Sequence, residues 1–238
     1  MENQPERSQD IEHYVRSELA GGHSPQMDRL RRNLLDQSSG LFLWVDLVVP
    51  MLNKAYDQGK TSMAMLRKLE EIPRDLQDLF AQIFSKDQED LEECITLLEW
   101  VLFSKIPLMP IELYHAVQYT YLKTGIAENM ALTQDMVVRY VLNCSRGFVE
   151  IIKARTPVVQ LIHETVRDYL GGNVLQQRQS GVSTSHVSGQ ELQADSCHMK
   201  LSEACLYYLL NMYKMAPLTE EVLEHYTLAP YAANADVP

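Results

Sequence analysis

Along most of this chain, apolar residues recur at spacings of three and four, and this period constrains the fold more than any other feature. Because an α-helix completes a turn about every 3.6 residues, such spacing collects the apolar side chains on one helix face. One region departs from the pattern. Residues 148–152 and 158–161 are β-rich runs on either side of Thr156 and Pro157, which predicts a β-hairpin. The sequence therefore predicts a mainly α-helical chain that carries one hairpin.

Small residues and prolines mark the expected helix ends. Gly21 and Gly22 end a first helix, and Ser24 is expected to cap a second one that has Pro25 in its first turn. Pro50 is expected to kink a central helix that opens at residue 41. Later helices are expected to start near Thr61, Pro73, Leu91, Pro110, Thr133, His163 and Leu201. The Tyr and Leu side chains of the last of these helices, over residues 201–210, are expected to pack.

The order of these elements predicts the domain organisation. The fold class expected is mainly α: a helical bundle, then a winged-helix domain with a short β-hairpin, then C-terminal helices. The segment 173–194 is rich in Gln, Ser and Gly, which is typical of a flexible loop. The expected divisions are a flexible N-terminus over 1–7, a helical subdomain over 8–104, a winged-helix domain over 105–172, the loop over 173–194 and C-terminal helices over 195–238.

The charge balance argues against a nucleic-acid partner. The formal net charge is −11, and no basic run is interleaved with aromatic residues. Nucleic-acid binders gain most of their affinity from Lys and Arg side chains that neutralise phosphates, so an acidic excess works against them. We therefore expect no nucleic-acid binding from this chain.

Neither a membrane span nor a secretory leader is expected. The N-terminal ten residues are polar, and the longest apolar run, residues 41–52, is too short to cross a bilayer and contains Asp46 and Pro50. The four cysteines form no C-x-x-C pair, and a chain of this size needs no disulfide staples. Buried free thiols and a cytoplasmic location are therefore expected.

Three patterns suggest a phosphate-binding loop, a metal site and a catalytic cluster, but each is better explained by a structural role. Gly59-Lys60-Thr61 has the ending of a P-loop, but Lys54 stands where the first glycine belongs, which favours a helix–helix turn. The seven histidines do not pair with cysteines at zinc-ligand spacing, so no metal site is expected. Glu164, Arg167 and Asp168 have the spacing of exposed ion pairs on a helix. No catalytic residue is assigned, and the chain is not expected to be an enzyme.

Two further features are expected to be structural. Trp44 and Trp100 stand inside apolar stripes, which favours the core over a role as partner-binding anchors. The acidic run over residues 87–93 lacks the central glycine of a calcium loop and is typical of a solvated helix start.

Four stretches of the chain, in one order, resemble the region after the P-loop core of fungal NACHT-type signal-transduction NTPases. They are residues 39–45 (Ser-Gly-Leu-Phe-Leu-Trp-Val), residues 69–80 with Ile72-Pro73, residues 100–113 and residues 159–170 (Val-Gln-Leu-Ile-His-Glu-Thr-Val-Arg-Asp-Tyr-Leu). The third and fourth also resemble the winged-helix segment labelled after GPI inositol-deacylases. No G-x-S-x-G nucleophile elbow is present, so that label does not imply a deacylase.

The resemblance implies a role around a bound nucleotide. In such proteins a helical and a winged-helix subdomain close over ADP, and opening permits exchange and assembly. Ile162-His163-Glu164 is similar to a Met-His-Asp triplet whose histidine reaches the ADP phosphate, so His163 is the implied phosphate ligand. Gly40 and Phe42 lie in the turn implied to sit near the adenine, with Phe42 where related proteins have proline.

The functional hypothesis is a non-catalytic regulatory segment that closes over ADP held by a P-loop core. No cofactor is expected for this chain alone, and ADP or ATP is expected if it joins an upstream P-loop domain. The implied partners are a nucleotide-binding domain in cis or in trans, self-assembly through a larger protein, and a repeat region after the C-terminal helices. The alternative is a stand-alone helical protein-interaction module. A winged-helix transcription factor is a third hypothesis, which conflicts with the charge.

Overall fold

The computed structural model of the chain describes residues 4–85, 90–122, 132–174, 189–215 and 227–234. These residues are mainly helical and include one two-stranded antiparallel sheet. The chain forms two compact units, Met1–Lys86 and Asp87–Pro238. None of the helices in the described ranges combines the length and the apolar composition needed to cross a bilayer.

The described residues of the first unit, 4–85, form five helices around an apolar core. They are α1 (Gln4–Glu18), α2 (Pro25–Ser38), α3 (Phe42–Asp57), α4 (Ser62–Glu70) and α5 (Leu76–Ser85). Helix α3 packs against α1, α2 and α4 and buries seven of its residues, which makes it the centre of this unit. Pro50 lies inside α3, and the helix continues beyond it to Asp57.

Side-chain caps set several of these helix starts. The Ser24 hydroxyl accepts the Met27 N–H at 3.2 Å, and Thr61 caps α4 in the same way. The expectation that Pro73 starts a helix is wrong. The Asp75 carboxylate accepts the N–H groups of two residues in the next turn, so α5 begins after Asp75 instead. The chain before α1 also differs from expectation: residues 4–7, expected to be flexible, belong to α1, and residues 1–3 lie outside the described part.

The second unit begins with three helices and the sheet. They are α6 (Leu91–Phe103), α7 (Pro110–Leu122), α8 (Gln134–Cys144), β1 (Val149–Ile152) and β2 (Val158–Leu161). The expected start of α7 at Pro110 and the expected hairpin are confirmed. Helix α6 packs against α7, α8 and β2, and therefore belongs to this unit rather than with the helices that precede it. The helical subdomain predicted over residues 8–104 would include this helix.

The hairpin joins the helices through backbone hydrogen bonds. Its register pairs Val149 with Leu161, and Ile152 with Val158. Beyond the sheet, the Val159 N–H donates to the carbonyl oxygen of Leu108 at 2.9 Å. The segment before α7 is therefore tied to the outer side of β2, which fixes the hairpin relative to α7.

The remaining elements follow β2. They are α9 (Glu164–Tyr169), a π-helical turn (Leu170–Val174), α10 (Gly189–Met215) and α11 (Ala229–Asn234). Helix α10 starts inside the segment that was expected to be a flexible loop, and the other residues of that segment after the π-helical turn, 175–188, lie outside the described part. Helix α10 packs against α6, α7 and α11.

Candidate functional site

His163 occupies the junction between the hairpin and α9. Its backbone is extended, with φ −163° and ψ 152°, and it is the N-cap residue of α9. Its ring nitrogen Nδ1 accepts the Thr165 N–H at 3.0 Å and lies 2.8 Å from the Thr165 hydroxyl oxygen. The imidazole therefore replaces the hydroxyl or carboxylate that usually caps a helix.

This cap selects one tautomer of the imidazole. A backbone N–H can only donate, so Nδ1 must be the acceptor, and a neutral ring then carries its proton on Nε2. The side chain of His163 is exposed, and no acceptor among the described residues takes the Nε2 proton. The fold thus presents an N–H donor on a ring whose orientation is fixed from the other side.

Two residues beside His163, Glu164 and Arg167, form a surface ion pair. The Arg167 Nε donates to Glu164 Oε2 at 3.1 Å, and both side chains are exposed. An exposed pair of this kind stabilises a fold by at most about 1 kcal/mol. The pairing expected for Glu164 and Arg167 is confirmed. Helix α9 has six residues, so its dipole adds less to anion binding than a long helix would.

Gly40 lies in a left-handed turn between α2 and α3. The φ angle is 51° at Ser39 and 78° at Gly40. A Cβ atom on Gly40 would meet no atom within 4 Å, so it is the backbone conformation that favours glycine there. The Ser38 hydroxyl donates to the Leu35 carbonyl oxygen at 2.8 Å and closes this turn from the α2 side.

Phe42 begins α3 with an exposed ring. Its ring centroid lies 5.0 Å from that of Tyr14 at an interplanar angle of 60°. The Tyr14 hydroxyl donates to Asp46 at 2.7 Å, and burial together with this hydrogen bond raises the pKa of Tyr14. Phe42 is therefore held on one side by an anchored tyrosine, and 46% of its surface is exposed.

The structure places these candidates in different units. Gly40 and Phe42 lie in the first, and His163 lies in the second. The contacts described for each arrangement lie within its own unit.

A partly buried polar network in the second unit is not indicated by the sequence. The Tyr140 hydroxyl donates to Glu93 Oε1 at 2.7 Å, and Gln118 Nε2 donates to both groups at 3.2 Å. Burial is the main cause that raises the pKa of Tyr140, and its bond to Glu93 adds to this. The network joins α6, α7 and α8, and its partners are up to 47 residues apart in sequence. No local pattern in the sequence indicates so distant a partner for Tyr140.

The cysteines are free thiols, as expected. Burial raises the pKa of Cys94 to about 11 and that of Cys144 to about 12. The thiolate is the nucleophile and the metal ligand, so a raised pKa disfavours the reactive form of both side chains at neutral pH. Among the described residues, no group of three or more His, Cys, Asp or Glu side chains is placed to hold a metal ion.

The remaining motifs have structural roles. Gly59 has φ 75° in the turn between α3 and α4, and the Thr61 hydroxyl is used as the cap of α4, as a helix–helix turn requires. Trp44 and Trp100 are fully buried. Their indole N–H groups donate to the Pro73 carbonyl oxygen at 2.7 Å and to the Thr120 hydroxyl at 2.9 Å. The core position expected for both tryptophans is confirmed.

Comparison of the chain with models of protein families, with curated proteins and with solved structures finds no match.

Proposed function

We propose that this chain is the non-catalytic regulatory segment of a NACHT-type, nucleotide-switched signalling protein. It closes over ADP that is bound to a P-loop core, supplied by the same polypeptide or by a partner. The observation that carries the proposal is the capped imidazole of His163, which offers its Nε2–H group to an acceptor outside the described residues. In this proposal the acceptor is a phosphate oxygen of ADP, as the resemblance of residues 159–170 implies.

The chemistry of His163 suits a switch better than a catalyst. A neutral imidazole whose Nδ1 accepts the Thr165 N–H carries its one N–H group on Nε2, and this group can donate a hydrogen bond to a phosphate oxygen. Because Thr165 holds the other ring nitrogen, little side-chain freedom is lost when the bond forms. Loss of the phosphate contact would release the segment from the core and leave the cap on α9 intact.

The elements around His163 support a winged-helix domain. Helices α7 and α8, the hairpin and α9 follow one another in the order of that fold, and the Val159–Leu108 hydrogen bond holds the hairpin against the start of α7. The exposed ring of Phe42, next to the left-handed turn at Gly40, supports the matching role near the adenine. A cytoplasmic location and self-assembly through the larger protein belong to the same proposal.

The decisive experiment compares two substitutions of His163 in the native polypeptide together with its P-loop core. His163→Ser removes the imidazole and keeps a hydroxyl that can cap α9, whereas His163→Ala removes both functions. We expect both variants to release ADP at least about tenfold faster, because a hydrogen bond to a charged group is lost. Only His163→Ala should also lower the melting temperature.

His23→Ser is the matched control, since it replaces another exposed histidine, in the first unit. It should leave ADP release unchanged. If His163→Ser releases ADP at the wild-type rate, His163 does not contact the phosphate and the proposal fails.

The alternative function is a stand-alone helical protein-interaction module. The apolar residues that α10 exposes to solvent favour it, since such a surface commonly marks a protein contact. The mass of the native polypeptide, detected with an antibody to this segment, separates the two. A mass far above 27.3 kDa agrees with the switch, and a mass of 27.3 kDa agrees with the module.

A further inference from the structure

Helix α10 is apolar on two opposite sides. One side packs against α6, α7 and α11 and buries Cys197, Leu201, Ala204, Cys205, Tyr208 and Met212. The opposite side carries a second apolar row, here called the outer stripe, which consists of Met199, Leu206, Tyr207, Leu210 and Tyr213. Their exposed fractions run from 49% to 73%. A helix that is apolar all round is normally covered on every side, and no described element of this chain covers the outer stripe.

We propose that the outer stripe is the contact through which two copies of this chain pair, with their α10 helices antiparallel. This inference stands independently of the nucleotide switch, since it uses neither His163 nor ADP.

The spacing of the outer stripe makes it self-complementary. Met199 and Tyr213 each lie seven residues from Leu206, which is two helical turns or about 10.5 Å along the axis. A two-fold axis through Leu206 therefore places Leu206 against the same residue of the second copy. It also places Met199 of each copy against Tyr213 of the other. Thioether–aromatic contacts are favourable, and a two-fold contact closes on itself without forming a filament.

The exposed area suits a weak dimer. An aromatic side chain carries about 200 Å² and an aliphatic one somewhat less, so the five side chains leave roughly 600 Å² in water. Two copies together would bury about 1,200 Å², which is the lower limit of specific interfaces. A dissociation constant on the order of 10 µM is expected for an interface of this size.

The charges along the outer stripe are few enough for a second copy of the chain to bind there. Between Met199 and Tyr213 the sequence contains one cation, Lys200, and one anion, Glu203. Lys200 also lies 3.4 Å from the buried Glu99 and is thereby held to the side of the stripe. The net charge of −11 on each copy opposes association over longer distances, and salt screens that repulsion. Higher salt should therefore strengthen the pairing, the reverse of what an interface built on ion pairs would show.

Sedimentation equilibrium of the full chain tests the proposal. Wild-type protein at about 100 µM should approach twice 27.3 kDa, and it should fall to the single-chain mass near 1 µM. Leu206→Glu and Leu206→Lys should each weaken association more than about tenfold, since like charges then meet on the two-fold axis. A mixture of the two variants should recover the doubled mass, because opposite charges then face each other.

Controls separate this contact from a general loss of structure. Leu206 is half-exposed, so both variants should keep the wild-type circular dichroism spectrum and melting temperature. These are measured at about 1 µM, roughly a tenth of the expected dissociation constant, where the protein is mainly monomeric. Met63→Glu changes an equally exposed apolar side chain of the first unit and should leave the dimer intact. The proposal is overturned if the wild-type chain keeps a mass of 27.3 kDa at 100 µM, which is about ten times the expected dissociation constant. It is also overturned if Leu206→Glu leaves the dimer unchanged. Binding of the monomer to neutral lipid vesicles would assign the outer stripe to a membrane surface instead.

Discussion

Helices α3 and α10 are both rich in apolar residues, yet the structure buries most of those in α3 and leaves one side of α10 in water. Helix α3 packs against three neighbours, and Trp44, Val48 and Leu52 are fully buried. Helix α10 also packs against three neighbours, but only on one side, and Leu206 and Tyr213 face solvent. Apolar composition therefore indicates that a surface needs cover, whereas the tertiary contacts decide whether this chain supplies it.

The difference has an energetic consequence. A buried apolar side chain stabilises the fold by the area it removes from water, and its loss also leaves a cavity. An exposed apolar side chain contributes little until a partner covers it. Matched substitutions in the two helices should therefore differ strongly in their effect on folding.

The largest expected effect is that of Trp44→Ala. The side chain is fully buried, and its indole N–H donates to the Pro73 carbonyl oxygen at 2.7 Å, so the substitution leaves both a cavity and an unpaired acceptor. We expect the free energy of unfolding to fall by about 3–5 kcal/mol. Urea denaturation followed by circular dichroism measures this. Trp44→Phe fills much of the cavity and should lower the free energy of unfolding clearly less. Equal losses of stability for the two variants would contradict the view that packing of this side chain stabilises the fold.

A matched pair of leucines makes the comparison direct. Leu52→Ala in α3 should cost about 2–4 kcal/mol, because this residue is fully buried. Leu206→Ala in α10 should cost about 0.5 kcal/mol or less in the monomer, since half of that side chain is already in water. Both are measured by urea denaturation at about 1 µM, where association does not add to stability. A cost above about 2 kcal/mol for Leu206→Ala would mean that this chain itself covers the outer stripe.

Local patterns in the sequence predicted local features of the fold. The hairpin around Thr156 and Pro157 and the helix starts at Ser24, Pro110 and Thr133 agree with the structure, because each depends on residues within a few positions. Pro73 does not start a helix, because Asp75, two residues later, caps α5 instead. The position of His163 directly before a helix was also predictable.

Features that depend on distant residues were not predictable in the same way. Helix 201–210 was expected to pack through its Tyr and Leu side chains, and Tyr208 does so, whereas Tyr207 and Leu210 are exposed. The periodicity of this helix supports either face, and only contacts with α6, α7 and α11 select one. The bond between Tyr140 and Glu93 and the assignment of α6 to the second unit depend on tertiary packing in the same way. For His163, the sequence gives the cap position, and the geometry adds the tautomer.

The smallest expected effect on stability concerns a charged group, and it extends the comparison of buried with exposed side chains from apolar residues to a carboxylate. Glu112, in the first turn of α7, is buried, and its carboxylate accepts the Met109 N–H at 2.7 Å. Burial raises the pKa of Glu112 above its usual value of 4.5, and the bond from Met109 offsets part of this. The folded chain therefore binds this proton more tightly than the unfolded chain. The resulting stabilisation is fully present below about pH 4.5 and is lost as the pH rises through the higher folded pKa.

Glu112→Gln removes this dependence, because the neutral amide keeps an acceptor for Met109 and carries no charge to bury. We expect the variant to be more stable than wild type at pH 7, by about 1 kcal/mol or less, and to lose this advantage towards about pH 4.5. Urea denaturation at several pH values between about 4.5 and 7 measures the difference in the free energy of unfolding between the variant and wild type. Glu203→Gln removes an exposed charge of the same type from α10 and serves as the control. If the difference in the free energy of unfolding between Glu112→Gln and wild type stays constant with pH, then burial in α7 does not destabilise the charged carboxylate.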